Sequence, residues 1–203
     1  GLRGRSRRAP CHVRPAQTGG RPREGGPHMN AARSFAVDLA RGKRAETDRA
    51  VLALLHELYP DGKVRPAPPE LDAQGIDLVV HRAPFSVGVQ VKAYGGTLAP
   101  IRTACVFLED FSDIDRAIPG WLWTTRAEVL VVRYADAPVA FHVPALRAIA
   151  ERKRDAWAPY RHTNQSRWGR ARWRSAYWRA PLREVVGALL DPTGEIIAAL
   201  SSR

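Results

Sequence analysis

The chain has 203 residues, 32 Lys and Arg against 20 Asp and Glu, and a formal net charge of +12. Its 45% hydrophobic content suffices for one core, the length fits one domain with tails, and no run of about 18 apolar residues exists to span a membrane. Two cysteines, Cys11 and Cys105, exclude a disulfide framework and a Cys-rich zinc site, which points to a reduced, cytoplasmic protein.

The charge is uneven. Residues 1–30 carry seven Arg and one Glu; residues 31–150 carry 14 basic and 14 acidic groups; residues 151–203 carry 11 basic and five acidic. Basic ends around a neutral body suit a polyanionic partner, nucleic acid above all, and equally suit a solvated charged surface. Residues 1–28 are rich in Gly, Pro and Arg and have no apolar period, the composition of a disordered tail. They lack the apolar stretch of a signal peptide. Met29, the single methionine, stands just before the ordered-looking sequence and is read as the natural start. Residues 29–154 then make an α/β core, and 155–203 a basic aromatic segment with a closing helix.

Within the core, Val51, Leu54, Leu55 and Leu58 recur at i, i+3, i+4 and i+7 and predict one helix over 43–58. Pro60-Asp61-Gly62 ends it. Lys63 to Pro66 reads as a short edge strand before a Pro-rich connector. Ile76 to His81 is nearly all apolar, as in a strand buried on both faces. Phe85 to Tyr94 alternates, with Phe85, Val87, Val89 and Val91 on one face. Thr103–Leu108, Glu128–Tyr134 and Val139–Val143 are further strands. Pro144 opens a helix to about Arg154, and Leu182–Leu190 reads as the closing helix. The order predicts a mixed α/β domain with a sheet of about five strands flanked by helices.

Asp77, Gln90 and Lys92 are polar groups set in these apolar strands, which is costly unless they are partnered. Gln90 and Lys92, two residues apart, share a face, and the hairpin brings Asp77 alongside. Asp77, the Gln90 side-chain oxygen and the Val91 carbonyl are hard oxygen ligands for Mg²⁺ or Mn²⁺, which keep several waters and need few protein ligands. Lys92 would orient or help deprotonate the attacking water and stabilise charge on a phosphate. Glu46, if its helix crosses the sheet, would support a second metal or a bound water. Each residue also has a plainer reading. Asp77 would be a ladder-end carboxylate on backbone N–H groups, Lys92 a snorkelling strand-end lysine, Gln90 a sheet amide, and Glu46 a first-turn acid favoured by the helix dipole.

Gly75-Ile76-Asp77, then Val89-Gln90-Val91-Lys92-Ala93-Tyr94, preceded by a helix with Glu46, resembles the PD-(D/E)XK nuclease superfamily in its QxK branch, as in Mrr-like restriction endonucleases and some resolvase-like proteins. The stretch from Gly120 to Val132 resembles a segment of small phage-type members. The resemblance covers about residues 43–150. It implies a restriction-endonuclease-like central mixed sheet flanked by helices, Mg²⁺- or Mn²⁺-dependent endonuclease or exonuclease cleavage of DNA, and in many members a homodimer. It also makes Glu109 a secondary candidate, whose plainer reading is a solvated strand end. Two departures stand out: Ile76 replaces the usual Pro before the acid, and Gln90 removes one negative charge from the metal site.

Residues 157–179 interleave Trp and Tyr with Arg. Arg161, Arg167, Arg170, Arg172 and Arg174 suit phosphates, and Trp168 and Trp173 suit exposed bases. Alternatively, the tryptophans pack the core and Arg covers them. Two other functions remain open: a catalytically inactive nucleic-acid-binding protein on the same fold, and a protein-binding regulator of a phage or mobile element.

Overall fold

A computed structural model of the chain describes residues 35–94, 96–98, 101–168 and 171–202. The expected tail over 1–28, and Met29, lie outside them. The expected single N-terminal helix is two, α1 (Phe35–Glu46) and α2 (Arg49–Leu58). The break falls at Asp48, whose extended backbone starts α2 and whose carboxylate accepts from the Ala50 N–H at 2.8 Å and from that of Val51. A side chain that satisfies the orphan donors of a first turn starts a new helix more readily than it continues an old one.

Next come β1 (Lys63–Pro66), the short α3 (Pro69–Asp72), β2 (Leu78–Arg82) and β3 (Phe85–Ala93). They are followed by β4 (Cys105–Asp113), β5 (Ile118–Pro119), α4 (Trp121–Thr124), β6 (Val129–Arg133), β7 (Pro138–His142) and α5 (Val143–Lys153). The chain closes with β8 (Arg161–Trp168), β9 (Ala171–Pro181), β10 (Leu189–Leu190) and α6 (Glu195–Ser201).

These strands form two sheets, not one of five strands. The first has six strands in the order β1-β2-β3-β6-β7-β10; the second has four in the order β5-β4-β9-β8. In the first sheet β1, β2 and β3 are antiparallel, β3 and β6 run parallel, and β7 and β10 follow antiparallel. The third expected strand leaves this sheet because, as β4, it pairs along its length with β9. The basic aromatic segment therefore supplies two strands to a sheet it shares with β4, and its Arg- and Trp-rich hairpin is β8–β9.

The six-stranded sheet is covered on both faces, the mixed α/β arrangement expected. One face, with Leu78, Val80, Val89, Val91, Val129 and Val131, packs on Val51 and Leu55 of α2. The other, with Leu130, Val132, Val139 and Phe141, packs on Leu146 of α5 and on Leu108 and Trp178 of the second sheet. Trp157 and Trp178 are fully buried, and the Trp157 indole donates to Glu184 at 2.7 Å. The Arg154 guanidinium lies 5.5 Å from the Trp123 ring centroid and 6.0 Å from that of Trp178. For Trp157 and Trp178, then, the packing alternative is the one realised.

The expected closing helix over Leu182–Leu190 is instead two 3₁₀ turns, Leu182–Glu184 and Val186–Ala188, followed by β10. Leu182, Val185 and Ala188 are buried, and this spacing of three matches a 3₁₀ turn better than an α-helix. Phe85, expected to share a face of β3 with Val87, Val89 and Val91, is 74% exposed at the tip of the β2–β3 hairpin. No helix among the described residues is long and apolar enough to cross a membrane.

Candidate functional site

The site forms where β3 outruns β2. The regular pairing of these strands ends at Leu78 opposite Val89, so Asp77 stands one residue ahead of β2 rather than inside a strand. Its N–H donates to the Val89 carbonyl at 2.8 Å. Its carboxylate accepts from the Val91 N–H at 2.7 Å, taking the ladder position that a backbone carbonyl of β2 would otherwise fill. The expected plain role, a ladder-end carboxylate, is thus realised. It leaves the second carboxylate oxygen uncommitted to that bond. The N–H and C=O of one strand residue point to the same side, so the Val91 carbonyl faces the same edge as Asp77.

Gln90 is 4% exposed, so the clean alternation expected of β3 gives way to burial on both faces at Val89, Gln90 and Val91. Its Oε1 is buried without a hydrogen-bond partner, an arrangement that costs free energy unless a ligand satisfies it. The Gln90 side chain lies under Gly75, whose φ of +78° suits glycine, and whose hypothetical Cβ would stand 2.8 Å from Thr125 Oγ1 and 3.2 Å from Gln90 Nε2. Thr125 Oγ1 donates to the Gly75 carbonyl at 2.9 Å, and the Arg126 N–H donates to the Gln74 carbonyl at 2.9 Å. These bonds clamp the segment before Asp77 to the segment before β6. Arg147 of α5 donates from below to the Leu122 and Thr125 carbonyls.

Asp77, Gln90 and Lys92 line one cavity of about 330 Å³ together with Asp72, Trp121 and Thr125. The Lys92 ammonium lies 5.8 Å from the Trp121 ring centroid. The three residues singled out from the sequence therefore share one cavity.

Glu46 does not take the role of a first-turn acid. It is the last residue of α1, where the helix dipole disfavours an anion. Its carboxylate is 3.1 Å from the Lys43 ammonium, which also bonds Asp72 at 3.2 Å. Burial raises the Glu46 pKa, the Lys43 hydrogen bond opposes this, and the negative charge of Asp77 raises it further. Burial lowers the Lys43 pKa, but hydrogen bonds to Glu46 and Asp72 outweigh it and hold the ammonium above its usual value. Asp72 and Lys43 were not anticipated. Asp72 closes the one-turn helix α3 between β1 and β2, too short to carry a period that would flag it.

Glu109, on β4, is not a solvated strand end. It accepts from the Trp121 N–H at 3.0 Å. Burial raises its pKa against the opposing pull of that bond and of the Lys92 charge.

The donor set tests the metal expectation. Asp77, Gln90 Oε1 and the Val91 carbonyl offer oxygens alone, which suits Mg²⁺ or Mn²⁺, and the orphaned Gln90 oxygen is a buried acceptor lacking a donor or cation. Among the described residues no three His, Cys, Asp or Glu side chains group as a metal site, so such an ion would rely on backbone, amide and water.

The tail residues divide. The Arg161 guanidinium pairs with the buried Asp110 carboxylate at 3.2 Å, which also accepts from the Trp123 indole at 3.1 Å. Arg174 pairs with Asp115, and Trp173 is half-buried. The side chains of Arg167, Trp168, Arg170 and Arg172 lie outside the described residues. No family model, curated protein or solved structure matches the chain.

Proposed function

We propose that the chain is a Mg²⁺- or Mn²⁺-dependent nuclease of restriction-endonuclease-like architecture that hydrolyses DNA phosphodiester bonds. The observation that carries this reading is the convergence of the Asp77 carboxylate, the partnerless Gln90 Oε1 and the Lys92 ammonium on one cavity. The mixed sheet supports it: a hairpin of β2 and β3 presents the three residues, and β6 runs parallel beside β3.

In this reading Asp77, Gln90 and the Val91 carbonyl would hold the cation. When bound, the ion supplies Lewis acidity, neutralising phosphate charge and making water easier to deprotonate. Lys92 donates to a non-bridging phosphate oxygen, where negative charge grows as water attacks phosphorus and the bond to the leaving sugar oxygen breaks, the water giving its proton to solvent and the sugar oxygen taking one from solvent. Trp121 flanks the ammonium and limits where that phosphate can lie. Glu46, its pKa raised by burial, is a positioning residue for water on the α1 side.

A second reading has its own support. Lys43 already pairs with both Glu46 and Asp72, as a lysine in place of a second cation would. This favours a catalytically inactive nucleic-acid-binding protein on the same scaffold. Cleavage of plasmid and oligonucleotide DNA with Mg²⁺ or Mn²⁺ separates the two. Activity in the wild type that is lost in both Asp77→Ala and Lys92→Ala supports the nuclease. Activity that survives both substitutions would falsify it, and binding without any cleavage selects the second reading.

A further inference from the structure

Lys92 and Trp121 also line a second, larger cavity of about 690 Å³. Its far wall belongs to the four-stranded sheet, with Glu109 from β4, Asn164 from β8, and Tyr177 and Arg179 from β9. The volume falls within the roughly 300–1,000 Å³ typical of pockets that enclose a small organic ligand. Phe107 and Tyr177 stand together in that wall, their centroids 5.5 Å apart. The Arg179 guanidinium lies 5.6 Å from the Phe107 centroid, and its Nε is buried without a hydrogen-bond partner. The cavity thus combines an aromatic wall, an unsatisfied donor, an amide and a carboxyl group, and it meets the smaller cavity at an ammonium.

We propose that this cavity receives one unstacked nucleotide of a single-stranded or locally opened nucleic acid. Its phosphate lies at Lys92, and its base lies against the aromatic wall within reach of Asn164 and Arg179. A base still paired in a duplex offers only its edges, whereas an extruded base offers a whole face for aromatic stacking. The shared position of Lys92 then sets the neighbouring phosphodiester in the smaller cavity beside Asp77. The assignment of that phosphate rests on the proposed nuclease reading; the pocket for the base does not.

The test uses the full chain and a short fluorescent single strand, with a blunt duplex of the same sequence as comparison. Binding is measured by anisotropy in EDTA, where no cleavage occurs. Tyr177→Ala is expected to weaken single-strand binding by about tenfold, the scale of removing one base–aromatic stack, and to leave duplex binding unchanged. Asn164→Asp, at an exposed strand position where the fold is preserved, is expected to weaken it as well. Single-strand binding unchanged in both variants, or duplex binding lost in parallel, overturns the pocket. Cleavage assays with Mn²⁺ keep this apart from the nuclease reading. A protein that binds single strands through Tyr177 and cuts nothing retains the pocket and loses the nuclease. One that cuts duplex and single strand alike, in both wild type and Tyr177→Ala, retains the nuclease and loses the pocket.

Discussion

The Val91 N–H donates to the Asp77 carboxylate at 2.7 Å, so this side chain both closes the end of a ladder and supplies a negative charge to the cavity. The two roles separate by substitution. Asp77→Asn keeps an oxygen acceptor for Val91 and removes the charge. Its stability should stay within about 1 kcal/mol of wild type, while Asp77→Ala strands a buried N–H and should cost about 1–3 kcal/mol. On the proposed nuclease reading, divalent-dependent cleavage should fall by roughly a hundredfold or more in both, since losing charge on the proposed metal ligand would withdraw several kcal/mol of transition-state stabilisation. Thermal melts beside cleavage rates check the pair. Asp77→Asn with wild-type cleavage would leave Asp77 a purely structural residue.

Lys43 bridges Glu46 and Asp72 from a half-exposed position, where ion pairs contribute roughly 0–1 kcal/mol. Lys43→Ala should therefore change stability little, yet it releases two carboxylates close to Asp77. The expected result is tighter Mn²⁺ binding, seen by calorimetry as an affinity gain of about three- to tenfold, the size of a partly screened charge change. Unchanged Mn²⁺ affinity would mean that the ammonium does not compete with a cation.

How much of this was legible in the sequence follows from which interactions are local. The Asp77, Gln90 and Lys92 grouping needed only strand parity and a short hairpin, both carried by residues close in the chain. The six-stranded sheet was legible in part, because the runs around Val80, Val89 and Val131 are apolar enough to mark central strands. The second sheet was not. It depends on β4 pairing with β9, partners some seventy residues apart in the chain, as in Leu108 opposite Trp178, and no local period records such a partnership. The helix break at Asp48 has a local signal, a capping side chain, but the apolar spacing around it hid the break. Lys43 and Asp72 meet only in three dimensions.

Glu109 gives a dependence on pH. Burial raises its pKa in the folded chain above its usual value of 4.5. The folded state then holds the proton over a range where the unfolded chain has released it, so stability falls as pH rises through that range. Glu109→Gln keeps an acceptor for the Trp121 N–H and removes the titration. The variant should match the wild type below the unfolded pKa and become the more stable of the two as pH rises above it. Melting temperatures of the two proteins, followed upward from below the ordinary carboxylate range, check the sign; a difference that does not vary with pH would contradict the buried ionisation.

The arginines of the aromatic segment should separate into structural and nucleic-acid-binding groups. Asp110 is buried and its charge is met by Arg161, with Arg154 3.8 Å away. Arg161→Ala removes its nearer cation, and breaking such a pair from one side costs about 3–5 kcal/mol when both groups are buried. Arg161 is partly exposed, so a loss nearer to about 1–2 kcal/mol is expected after solvent screening. The same substitution should leave the salt dependence of DNA binding unchanged, because that guanidinium is already engaged. Arg170 and Arg172 sit in the sequence at the β8–β9 hairpin, away from any acidic neighbour in the chain. Arg170→Ala with Arg172→Ala should spare the melting temperature, weaken binding across all sequences, and flatten the slope of log affinity against log salt by up to about two, one counterion for each phosphate no longer neutralised. Measuring both variants by salt titration and thermal melting distinguishes the groups. A slope that changes with Arg161 and not with the hairpin pair would move the polyanion-binding surface from the hairpin to the start of β8, beside the buried carboxylate of Asp110.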